Sequence, residues 1–269
     1  MYMLLMVVLG AIVLFTTFMV KPKRRVHRRL VSLGILLVVV GGSGIYESYQ
    51  NQVPAGDNPR QSTTEPNSTN TDLSKLNYNG KQEIVVNNNT PTFTKSELNV
   101  SNGPWQRFAD LDNLNRAIQA DALLSKSLMP TAKREPLYVN PTGWHNKKLK
   151  DGWLYNRSHL IGYQLSGQNN NPKNLMTGTR SLNSPEMLKH ENDIAYYLKQ
   201  NPNNYIRYRV KPIYRGNELL ARGVQMMAES LNSNGQADQQ VSFNVYIFNI
   251  EKGVQINYSD GTSVVNNNY

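Results

Sequence analysis

The first forty-six residues constrain this chain more than any other stretch. Met1 to Val20 is uncharged and about as long as a bilayer-spanning helix needs, roughly twenty residues. A basic run follows at once, with Lys21, Lys23, Arg24, Arg25, Arg28 and Arg29, and Leu30 to Tyr46 forms a second apolar stretch ending in Gly41-Gly42-Ser43-Gly44. Two apolar spans around a basic loop read as a transmembrane hairpin over 1–46. The dense Lys/Arg content keeps the loop, 21–29, on the cytoplasmic face and places everything after Tyr46 outside. The alternative takes Lys21 to Arg29 as the charged start, and Leu30 onward as the apolar core, of a cleavable signal. Both readings export the rest of the chain.

Glu47 to Ser74 is rich in Asn, Thr, Ser, Pro, Gln and Gly and has almost no large apolar side chains. Such a stretch buries too little surface to offset its chain entropy, so 47–75 is expected to be a flexible tether and 76–269 the folded domain. Within that domain, Glu83-Ile84-Val85-Val86 reads as a short strand closed by a turn at Asn87-Asn88-Asn89. Leu111, Leu114, Ile118, Ala122 and Leu128 fall at near-helical spacing before Pro130 and predict a helix over Leu111–Leu128. A second helix is expected over Met187–Gln200, with Met187, Ile194 and Leu198 on its inner side. Tyr205–Tyr214, Leu219–Met227 and Ser242–Ile250 read as strands. The last carries Phe243, Val245 and Ile247 on one face and Tyr246, Phe248 and Ile250 on the other, so it is expected to be covered on both sides. The class is α+β, with a central, mainly antiparallel sheet flanked by helices.

Composition narrows the chemistry. Cysteine is absent, which excludes disulfide scaffolds, thiolate metal sites and cysteine nucleophiles, and leaves oxygen or imidazole to hold any metal. The net charge of +10 suggests an anionic partner, but the basic loop supplies six of those charges and the rest of the chain is only mildly basic.

Candidate functional groups are densest between Trp153 and Glu191. The run reads Asn156-Arg157-Ser158-His159, then Asn171-Pro172-Lys173-Asn174-Leu175, Gly178-Thr179-Arg180, Leu182-Asn183 and Glu191-Asn192. This ordered series resembles the DNA/RNA non-specific endonucleases of the ββα-metal fold, in the branch of DNA-entry nucleases and streptococcal secreted DNases. The likeness spans roughly 76–258. It implies a metal-dependent phosphodiester hydrolase acting on DNA, with RNA as a second substrate, and needing no nucleotide cofactor. The expected location is the bacterial cell membrane with the catalytic domain outside, or the medium if the N-terminus is cleaved.

The resemblance assigns His159 as the general base, and elementary chemistry agrees, since imidazole titrates near neutrality. It assigns Asn183 as ligand of one divalent ion, Mg²⁺ with Mn²⁺ as the alternative; an N-cap of the following helix is the competing role. Glu191 matches the family's acidic residue, but eight residues of unbroken helix would separate it from Asn183 by about 12 Å. A chain break at Pro185 is therefore required, or else Glu186 takes its place. Arg157 and Arg180, with Lys173 and Arg134 behind them, are candidates for phosphate contact, being cations in or near the motif. Asn174 matches a polar position near the base that either shapes the loop or touches nucleic acid. Many relatives read Asp-Arg-Gly-His, whereas this chain has Asn156 and Ser158 in place of the aspartate and glycine. The main rival reading is a non-catalytic, tethered module that captures DNA on the basic strand Arg207, Arg209, Lys211; a structural surface protein is the other, and it leaves the motif series unexplained.

Overall fold

The computed structural model describes residues 72–266, so the expected hairpin and most of the expected tether lie outside the described residues. Among the described residues, no helix is long and apolar enough to cross a membrane. Leu73–Lys75, at the end of the stretch expected as tether, forms a helical turn, and Leu73 is buried.

Six strands make the central sheet: β1 (Glu83–Val85), β2 (Trp105–Phe108), β3 (Ala120–Ser125), β8 (Tyr205–Ile213), β9 (Gly223–Leu231) and β10 (Ala237–Phe248). Their order is β1-β10-β9-β8-β3-β2, and every neighbouring pair is antiparallel. The numbers omitted belong to two small hairpins, β4 (Lys148–Leu149) with β5 (Gly152–Trp153) and β6 (Tyr155–His159) with β7 (Leu175–Thr179). A third pair, β11 (Val254–Ile256) with β12 (Ser263–Val265), closes the domain.

The period-two pattern explains how the sheet buries both faces. On β8, Ile206, Tyr208 and Val210 enter the main core, where they meet Phe243, Val245 and Ile247 of β10. Tyr246 and Phe248 point the other way into a second cluster with Leu73, Leu76 and Ile84. The expected two-sided covering of the last strand is what the fold uses. Helix α1 (Tyr163–Ser166) and helix α2 (Leu188–Gln200) lie over the main core, α2 supplying Ile194, Ala195, Tyr197 and Leu198.

Two sequence expectations are corrected. Leu111–Leu128 is not a helix: its second half is β3, whose six residues are all buried between β2 and β8. Its first half is a tight loop in which the Asp112 carboxylate accepts from the backbone N–H of Leu114 and Arg116, while Asn115 takes a left-handed φ of 60°. That local side-chain bonding competes with helix formation, and apolar residues needed on two faces of a central strand mimic helical spacing over a short run. The strand expected over Leu219–Met227 begins only at Gly223 and runs on to Leu231. The preceding Leu220 is buried with Leu154 and Tyr155 in a separate small cluster.

Candidate active site

The hairpin β6–β7, helix α1 and helix α2 bring the motif series together around one cavity of about 790 Å³. On β6 and the strand before it, alternation sends Trp153, Tyr155, Arg157 and His159 to the cavity wall. His159 ends β6 opposite Leu175 and is only 7% exposed. Its Nε2 lies 2.8 Å from the Asn169 carbonyl, which can only accept, so Nε2 carries the proton and Nδ1 the lone pair. Burial holds the imidazole below its ordinary pKa, and the nearby Arg134 guanidinium, with Nη2 3.5 Å from Nδ1, pushes the same way. The ring is therefore neutral near neutral pH, with its basic nitrogen next to a cation.

Arg134 is held by a loop that the next asparagines stitch in place. Asn169 Nδ2 donates to the Glu135 carbonyl, Asn170 Nδ2 donates to the Pro136 carbonyl, and Asn170 Oδ1 accepts from the Tyr138 N–H. Asn169 thus bonds both His159 and the loop that carries Arg134. Sequence reasoning missed it; the run Asn169-Asn170-Asn171 between two motif blocks was the available signal.

Between β7 and α2 the chain makes a wide helical turn, Leu182–Met187, interrupted at Ser184, whose backbone is extended (φ −150°, ψ 120°). This interruption brings both Asn183 and Glu191 to the cavity wall. The Asn183 amide makes no hydrogen bond among the described residues, so it serves no N-cap there and its oxygen is available to a ligand. Glu186 pairs with Lys189 at 2.7 Å and does not line the cavity. Glu191, in the first turn of α2, is buried, and its Oε1 accepts from the Gly162 N–H at 2.8 Å. Burial pushes its carboxyl up to about 7. Gly162 is required here, since a Cβ would collide with both Glu191 carboxylate oxygens.

The remaining candidates divide. Arg157 lines the cavity, stacked 4.7 Å over Trp144, with Nε donating to the Val139 carbonyl and Nη2 to Asn140 Oδ1. Asn174 does not reach the cavity: it is fully buried, Nδ2 donating to the Ile161 carbonyl and Oδ1 accepting from the Ile161 N–H. Of its two sequence roles, loop shaping is the one its contacts serve, because both polar atoms bond Ile161 and the side chain is fully buried. Lys173 pairs with Asp110 at 2.6 Å, and Arg180 donates to the Asp151 carbonyl; neither lines the cavity. The departures from the common motif are accommodated locally. Asn156 joins the cavity wall, and the buried Ser158 hydroxyl lies against Gly178, where any Cβ would collide with it.

Among the described residues, no group of three or more His, Asp or Glu is placed to hold a metal ion. His145 Nδ1 lies 2.8 Å from the Asp260 carbonyl and His190 Nε2 2.7 Å from Glu83, so neither reaches the cavity. Two of the three cations on the strand invoked for DNA capture are also spoken for, while Lys211 is exposed. Arg207 is buried and bonded to Asp121, and Arg209 bonds Asp121 and Glu97.

The family profile of the DNA/RNA non-specific endonucleases matches residues 98–232, the span that holds this entire site. A curated deoxyribonuclease of Streptococcus dysgalactiae subsp. equisimilis is 30% identical over 174 residues, covering 62% of this chain and 50% of the relative, so the chain spans about half that relative's length. NucA from Streptococcus agalactiae, solved with a magnesium ion bound, superposes with a TM-score of 0.58 at 24% identity, covering 67% of this chain and 86% of NucA. The Sda1 nuclease, solved with a zinc ion bound, gives 0.50 at 26% identity, covering 60% and 80%. The chain belongs to the DNA/RNA non-specific endonuclease family.

Proposed function

We propose that this chain is a ββα-metal endonuclease that hydrolyses phosphodiester bonds of DNA without sequence preference, with RNA as a second substrate. The observation that carries this reading is the convergence of His159, Asn183 and Glu191 on one cavity edged by Arg134 and Arg157. His159 acts as general base: the Asn169 carbonyl fixes the tautomer, and Nδ1 takes the proton of the attacking water. Burial, and to a smaller extent Arg134, keeps the imidazole neutral, and Arg134, with the unbonded Nη1 of Arg157, meets phosphate oxygens. Contacts of this kind carry affinity without reading bases, which supports cleavage without sequence preference.

A divalent cation fits the donor set. The free amide oxygen of Asn183 and the buried Glu191 carboxylate are hard oxygen donors lining one cavity, suited to an ion that keeps several waters. Mg²⁺ is the first choice and Mn²⁺ the alternative; bound there, either supplies positive charge to the phosphate and the leaving oxygen. Asn183 would hold the ion directly, and Glu191, fixed by Gly162, would hold its waters. The domain works outside the cytoplasm, held at the bacterial membrane by the apolar N-terminal spans or released by their cleavage, as the basic run between them supports.

The test is cleavage of plasmid DNA by the purified full-length protein with Mg²⁺, with EDTA, and with His159→Ala. Nicking that disappears in EDTA and in the variant is expected. Binding without cleavage under every condition overturns the catalytic reading.

A further inference from the structure

Burial alone does not account for where Trp153 sits. It is 55% exposed although it is the largest apolar side chain type, and it lines the same cavity as His159 and Arg157. Its strand is two residues long and pairs with Lys148–Leu149, placing Trp153 opposite Lys148. Lys148 and Lys150 on this hairpin are exposed and make no ion pair among the described residues. Across the cavity, Leu188 at the start of α2 is a second exposed apolar side chain on its wall. A site that offers a bare indole face, an aliphatic side chain and unpaired cations at the edge of the catalytic cavity suits a ligand that joins flat rings to phosphates. Resting on the nuclease reading, we propose that the β4–β5 hairpin is a substrate arm. In it, Trp153 stacks on a nucleobase next to the scissile phosphate, with Lys148 and Lys150 on the adjoining backbone.

A base can reach the indole face only when it is unstacked from its neighbours. The arm therefore favours single-stranded or locally unpaired nucleic acid, in which bases turn out at little cost, over an intact duplex. Stacking of this kind is tolerant of base identity, since every base has a ring face. The hairpin thus adds strand selectivity without adding sequence selectivity.

The experiment measures binding in full-length protein carrying His159→Ala, so that no cutting interferes. The probes are a labelled short oligothymidylate, an abasic strand of equal length and charge, and a hairpin duplex. The expected result is tighter binding of oligothymidylate than of either competitor, with quenching of tryptophan emission. Adding Trp153→Ala weakens oligothymidylate binding about tenfold, removes the quenching and collapses the preference over the abasic strand. Trp153→Phe retains most of the preference, whereas Trp153→Leu, which keeps apolar bulk without a ring, loses it. Equal affinity for the abasic strand in the starting protein, or a preference that survives in the Ala or Leu variant, overturns the proposal. Wild-type cleavage of plasmid is scored separately: its absence sinks the nuclease reading, while the binding preference judges the arm.

Discussion

Asn174→Ala separates a structural account of the motif from a nucleic-acid-contact account. The side chain is fully buried and bridges both backbone groups of Ile161, with bonds of 2.9 and 3.0 Å. Alanine leaves the buried Ile161 N–H without a partner, at about 1–3 kcal/mol, and its carbonyl with only the longer bond from Ser166 Oγ, 3.3 Å, a further loss of about 1 kcal/mol, so about 3 kcal/mol in all is expected. For a domain of this size each kcal/mol moves Tm by about 2–4 °C, which places the variant about 9 °C below wild type in a thermal melt. The same substitution has a catalytic signature. Ile161 precedes Gly162, whose N–H fixes Glu191, so loosening it disturbs the carboxylate rather than the grip on substrate. Assayed well below its Tm, the variant is expected to lose kcat with little change in KM. An unchanged Tm together with a raised KM refutes this reasoning and returns Asn174 to the nucleic-acid interface.

Three further outcomes follow from the site. Gly162→Ala drives a methyl into the Glu191 carboxylate, and activity on plasmid DNA is expected to fall about 10- to 100-fold; full activity in steady-state assays shows that the Gly162–Glu191 contact is dispensable. Arg134→Gln removes the cation beside His159, so the imidazole pKa rises toward its ordinary value and the acidic limb of the rate profile moves to higher pH. A limb that stays put, or moves lower, excludes Arg134 as a tuner of the base. Glu191 titrates at about 7 rather than 4.5 because it is buried, so in metal-free protein its contribution to stability is complete below about 4.5 and is lost as pH rises through about 7. Glu191→Gln cannot ionise, and urea titrations of the two metal-free proteins are expected to diverge by up to about 3 kcal/mol toward alkaline pH; parallel curves contradict that burial.

Which residues meet at the cavity was largely readable before any fold was known, because the motif places residue types at ordered intervals. His159, Asn183, Glu191, Arg157 and Arg134 all face one cavity, and the break foreseen near Pro185 occurs at Ser184. Asn174, Lys173 and Arg180 show the limit of that reading. A motif position does not say whether a residue faces the cavity or, like Asn174, bonds buried backbone beside it. The same holds for Arg207 and Arg209, part of a basic strand by sequence and an ion-pair cluster in the fold, buried at Arg207 and half-buried at Arg209, where Asp121 from β3 and Glu97 pair with them.

By itself, the sequence determined what depends on local pattern. It showed the apolar and basic segmentation of residues 1–46, the two-faced strand at Phe243–Phe248, the helix expected over Met187–Gln200 and found at Leu188–Gln200, and the imidazole, amide and carboxylate that the proposed hydrolysis uses. Only the tertiary structure decided that Ala120–Ser125 is a central strand, that the Asn169 carbonyl fixes the His159 tautomer, that the Gly162 N–H bonds Glu191, and that Trp153 stands half-exposed at the cavity edge. The physical reason is range. Strand identity, tautomer and carboxylate burial are set by partners distant along the chain, such as β8 for β3 and Glu191 for Gly162, and no periodicity within a single segment encodes them.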